Sequence, residues 1–120
     1  MTIRIRVENG HLAVNLTGDW DDAALAGIPE RVSAALAEHG VANVLLDLRE
    51  ATIQLSVAEI VEGTSALVDV FPPRTKHAIV YTPEGTMEHD TPFFETVAEN
   101  RGMIVSAFTD VDEARGWLDA

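Results

Sequence analysis

The stretch Val41-Ala42-Asn43-Val44-Leu45-Leu46-Asp47-Leu48 (VANVLLDL) decides the fold. Its nearly unbroken apolar character predicts a strand buried on both faces, the pattern of a central strand in an α/β sheet. The residues Arg49 to Leu55 read as the connection that follows. From Val57 the apolar positions Ile60, Val61, Thr64, Leu67, Val68 and Phe71 fall at helical spacing until Pro72-Pro73 stops the element. Ala78 to Tyr81 (AIVY) predicts a short strand and Pro83-Glu84-Gly85 a loop. Phe93, Phe94, Val97 and Ala98 then open a helix that ends near Gly102, with Pro92 at its start. Met103 to Phe108 (MIVSAF) is the last predicted strand. The terminal helix begins at Asp110, whose acid-x-x-Glu spacing to Glu113 suits a cap, and Val111, Ala114, Trp117 and Leu118 form its apolar stripe.

On the N-terminal side of the central run, Asp21 to His39 carries Leu25, Ile28, Val32 and Leu36 three or four apart, with Gly40 after the end. Pro29 lacks a backbone donor, so it should kink this helix or divide it near Gly27 and Ile28. Ahead of it, Ile3, Ile5 and Val7 alternate with polar residues, as do Leu12, Val14 and Leu16, on either side of Asn9-Gly10. Asn-Gly supplies the two positive φ angles of a type I′ turn, which predicts a hairpin over residues 2 to 18. A two-residue turn fixes the register: Val7 opposite Leu12, Ile5 opposite Val14 and Ile3 opposite Leu16 on one face, Arg4 near Asn15 and Arg6 near Ala13 on the other. The sum is one α/β domain over residues 1–120, in the order ββαβαβαβα, with a mixed sheet and about four helices.

Composition narrows the functions. The 120 residues are 47 % hydrophobic, enough for one core. Twenty acidic groups against eight basic ones give a formal charge of −12, and Lys76 is the single lysine. Such a surface repels phosphate backbones, so nucleic acid is not an expected partner, and the charge chiefly serves solubility. No apolar run approaches the ~20 residues of a membrane span, and the N-terminus alternates where a signal peptide would be continuously apolar, so a cytoplasmic location is expected. The chain has no cysteine, which removes disulfides, thiolate metal sites and cysteine nucleophiles.

The order of elements resembles the STAS-like domains, the anti-anti-sigma-factor fold, and within them the SpoIIAA-like branch that shares features with SEC14-type lipid-binding domains. The resemblance rests on Pro29 in the first helix, Leu45-Leu46-Asp47-Leu48, Arg101-Gly102 before the last strand, and Phe108-Thr109-Asp110-Val111-Asp112-Glu113-Ala114 running on to Trp117-Leu118. It implies a regulatory domain that binds a kinase and is switched by phosphorylation at an Asp-Ser-Ser-Gly motif after the central strand. Leu55, Ser56, Val57 and Ala58 stand at those four places, so the resemblance makes Ser56 the candidate phosphoacceptor.

Read from its neighbours alone, Ser56 is a helix cap: Ser56-Val57-Ala58-Glu59 is a capping box, in which serine and glutamate each satisfy the other's backbone amide. Asp47 is the best-placed carboxylate for acid-base work, but no nucleophile-base pair, nucleophile elbow, P-loop or dinucleotide turn accompanies it. His11, His39, His77 and His89 show no metal-ligand spacing, and Glu88-His89-Asp90 reads as a loop. No catalytic residue, metal or cofactor is therefore expected. The expected function is a non-catalytic domain that binds a protein through Arg49 to Glu62, with Arg49, Glu59 and Glu62 as the contact residues. The alternative is a small-molecule or lipid carrier with an apolar pocket between Trp20, the second predicted helix and Phe93-Phe94.

Overall fold

The computed structural model describes residues 1–120. Strands β1 (Thr2–Glu8) and β2 (His11–Trp20) form the hairpin, with Asn9 and Gly10 both at positive φ, 49° and 82°. The register set by the two-residue turn is the one observed, from Val7 opposite Leu12 to Ile3 opposite Leu16. The predicted helix over 21–39 is two elements, α1 (Asp22–Leu25) and α2 (Ile28–His39). Asp21 caps α1 by accepting from the Ala24 amide at 2.8 Å. Gly27, at φ 83°, then turns the chain, so Pro29 lies in the first turn of α2, where its missing N–H has no helical partner to lose.

The central strand β3 spans Val44–Ile53, starting three residues later than its apolar run and continuing through the segment expected to be a connection. Its second half, Glu50 to Ile53, pairs in parallel with Thr17 to Trp20 of the long β2 strand beyond a register shift near Leu16. Ala51 and Ile53 turn to the main core while Glu50 and Thr52 are exposed, the alternation of a strand, and pairing with β2 satisfies its backbone. Helix α3 covers Val57–Leu67 and ends one turn earlier than its spacing suggests, the chain tightening through Val70 before Pro72. Strand β4 is Lys76–Val80, beginning two residues before the predicted Ala78 start.

Helix α4 spans Thr86–Asn100, starting six residues before Pro92. Pro92 is inside it. Met87 and Thr91 are buried in this early part, and their burial offsets the helical hydrogen bond that the proline forgoes. Strand β5 (Ile104–Phe108) leads to α5 (Val111–Asp119), whose cap Asp110 accepts from the amides of Asp112 and Glu113 at 2.7 and 3.3 Å.

The strand order is β1-β2-β3-β4-β5, antiparallel only between β1 and β2. Each crossover after β2 advances one strand in the same direction, so the single hand of such connections puts α1 to α4 on one face. The main core lies there: Leu12, Val14, Val44, Leu48 and Ile79 meet Val32 and Leu36 of α2 and Met87 and Ala98 of α4. On the other face a smaller cluster packs Ala114 and Leu118 of α5 over Leu45, Ala78 and Val80. The central run therefore buries alternate residues into different layers. No helix is long and apolar enough to cross a membrane.

Candidate functional site

Beyond the last paired residue of β3, Gln54 and Leu55 lead to Ser56, which is extended (φ −71°, ψ 162°) as a cap must be. Its Oγ accepts from the Glu59 amide at 3.1 Å, and Glu59 Oε1 accepts from the Ser56 amide at 2.8 Å. Both arms of the capping box are made. Ser56→Ala is expected to cost about 1 kcal/mol, while Ser56→Thr keeps most of it; urea unfolding of the two variants checks this, and equal losses would contradict a capping role.

Asp47 points to the α5 side of the sheet. Its carboxylate accepts from the Arg49 guanidinium at 2.7 and 3.0 Å, from the Arg49 amide at 3.1 Å and from Asn15 Nδ2 at 3.1 Å. Burial would raise its pKa, but the hydrogen bonds and charge of Arg49, aided by Asn15, outweigh burial and hold the group below the usual carboxylate range. A carboxylate held so firmly in its charged form is a weak base at neutral pH. Arg49 is exposed and ion-paired with Asp47, Glu62 is exposed on α3, and Glu59 is half-buried in the capping box. No ion pair joins Arg49 to either glutamate, so the three expected contact residues form no constellation.

Between the helices and the sheet lies an open apolar cavity of ≈ 350 Å³, walled by Leu25 and Ile28 of the α1–α2 region, Ile60 and Leu67 of α3, and Phe94 of α4. Of the three aromatic residues expected to frame a pocket, only Phe94 lines it. Trp20 is 4 % exposed in the main core, with Nε1 donating to the Thr17 carbonyl at 3.2 Å. Phe93 stacks on the exposed His89 ring, 6.3 Å between centroids. The wall that sequence reasoning missed is the α1–α2 junction. Its signal was the Gly27-Ile28-Pro29 break, which separates two apolar segments and sets them at the cavity's edge.

His77 at the start of β4 lines the same cavity, edge-on to Phe71 with centroids 4.7 Å apart. Burial lowers its pKa to about 4, so the ring is neutral at ordinary pH. The histidines and carboxylates form no group able to hold a metal ion. Lys76, also on β4, donates to the carbonyls of Trp117 and Ala120 at 3.3 and 2.9 Å and lies over the Trp117 ring, tying α5 to the sheet.

No family model and no curated protein matches the sequence. Solved structures do match in shape. An anti-sigma factor antagonist from Mycobacterium paratuberculosis superposes with a TM-score of 0.67 at 16 % identity, over 99 % of this chain and 94 % of that one. An uncharacterized DUF3478-family protein with a SpoIIAA-like fold from Shewanella loihica gives 0.62 at 21 % identity, covering 98 % and 92 %. The anti-sigma factor antagonist SpoIIAA in its unphosphorylated form gives 0.57 at 15 % identity, covering 99 % of both chains. The fold of this chain is the STAS-like, SpoIIAA-like α/β fold.

Proposed function

We propose that this chain is a cytoplasmic, non-catalytic regulatory domain that binds a protein partner through residues 49–62 and the outer face of α3. The observation that carries this reading is the packing of α3. The helix is rich in apolar residues (VAEIVEGTSAL), yet only Ile60 and Thr64 are buried. Val57 at its start is 62 % exposed and Val68 just past its end is 41 % exposed. The two ends of α3 thus expose aliphatic side chains with the charged Glu62 exposed between them, the mixture of apolar and charged groups found at protein interfaces. Two of the three similar structures are anti-sigma factor antagonists, which supports a regulatory role for the shared fold.

Ser56 serves this surface as the cap that fixes the first turn of α3. A phosphate on its Oγ would displace the Glu59 amide from that oxygen and set a second negative group beside the Glu59 carboxylate. Phosphorylation would therefore loosen the first turn of the proposed contact helix.

The test compares capture of partner proteins by the immobilised chain and by an Arg49→Glu/Glu62→Lys variant, with Arg4→Glu on β1 as control. The expected result is a specific partner held by the wild type and the control but bound about tenfold more weakly by the double variant, the scale of about 1.4 kcal/mol at an interface. A partner held equally by all three, or no specific partner at all, contradicts the proposal.

A further inference from the structure

The cavity under α3 has an apolar interior that the proposed partner binding does not explain. Its ≈ 350 Å³ falls within the range of small-molecule sites, about 300–1,000 Å³. At the interior packing density of about 0.74, it accepts roughly 260 Å³ of ligand, the bulk of a medium-chain amphiphile. The walls are aliphatic and aromatic, so the body of any occupant is apolar. Charge then selects its head. The charged side chains in the lining are Asp22, Glu30, Glu59 and Asp90, with no lysine or arginine among them. Asp22 and Glu30 are exposed, which places them at the mouth. These carboxylates do not converge tightly enough to hold a metal ion. Burial keeps His77 uncharged, so no positive group in the lining opposes a cation.

We propose that this cavity binds a cationic amphiphile, with its apolar chain or ring system between α3 and the sheet and its amine at the carboxylate-lined mouth. The same lining repels a fatty carboxylate or an anionic phospholipid, since a like charge beside the mouth carboxylates is unfavourable. Neutral apolar chains enter but lack the attraction at the mouth. Ile53, Leu55, Glu59 and Ile60 of the proposed partner segment also line the cavity, but the partner test alters only Arg49 and Glu62, which do not, so the two proposals fail on different variants.

Calorimetric titration of the intact protein with decylammonium and decanoate below their micelle concentrations, and with decanol below its solubility limit, tests it. Decylammonium is expected to bind tightest and decanoate weakest, with about a tenfold or larger gap between them that narrows in about 0.5 M salt as the charges are screened. Gly63→Leu with Ala66→Phe adds bulk at two α3 positions that line the cavity; a Cβ at position 63 meets open space, and leucine suits a helix better than glycine. This variant is expected to keep its circular dichroism and lose binding of decylammonium and decanol. Asp22→Asn with Glu30→Gln is expected to weaken decylammonium alone. Decanoate binding as tightly as decylammonium, or decylammonium binding unchanged by filling the cavity, would overturn the proposal, the second outcome marking adsorption to the acidic surface.

Discussion

Replacing Trp20 by alanine is expected to lower the unfolding free energy by about 3–5 kcal/mol, the range for removing a large aromatic side chain from a packed core. Trp20 ends β2, is 4 % exposed, and packs in the cluster that contains Leu12, Val14 and Leu48. Its indole N–H is satisfied by the Thr17 carbonyl, so alanine also leaves that acceptor without its partner. The residue is paired with Ile53, the last position of β3, and its loss should fray the second half of both strands. Urea unfolding measures the change. A loss under about 1 kcal/mol would place Trp20 outside the core, as a residue whose work is at a surface.

The second large effect is a pH dependence set by His77. Its folded pKa is about 4 against an ordinary 6.5, because burial disfavours the imidazolium. Between these values the unfolded chain takes up a proton that the folded chain refuses. The stability tied to a neutral His77 is therefore complete above about pH 6.5, declines as pH falls toward 4, and is exhausted below that. The depression corresponds to roughly 3 kcal/mol across the window. His77→Leu keeps an apolar group in the same space and removes the titration. Wild type should lose roughly 2–3 kcal/mol more than this variant between pH 7 and pH 4.5. Asp47 and Glu8 do not blur the comparison, since Arg49 and Asn15 in one case, and Arg6 and Arg115 in the other, hold their pKa values below the usual range despite burial, and both groups are unchanged in the variant. Parallel pH profiles for the two proteins would contradict a buried neutral histidine.

Local rules settled the parts of the fold whose causes are local. Asn9-Gly10 fixed a turn and hence a register, and Ser56 and Asp110 marked helix starts because a cap needs only its own next three residues. The α4 start was hidden by Pro92, a residue whose usual place is a first turn; burial of Met87 and Thr91, invisible to a local rule, carries the helix past it. The segment 49–53 was masked by its charged start, Arg49-Glu50; the alternation of Ala51 and Ile53 with Glu50 and Thr52 is a strand signal that pairing with β2 completes. Candidate site residues fared the same way. Ser56 was legible as a cap, whereas Trp20, Phe93 and Phe94, close to one another in prediction, are in a core, on a surface and in a cavity wall.

The sequence by itself determined the hairpin and its register, the order of alternating strands and helices, the caps, the acidic surface and the burial of the central strand, because each follows from side-chain spacing, turn chemistry or charge over a few residues. Only the tertiary structure decided how far α4 extends, which face α5 covers, that Trp20 belongs to the core, and that a carboxylate-edged cavity opens beneath α3. Those depend on how elements distant in sequence fill space against one another, and packing of that kind has no signature in the spacing of residues along one chain.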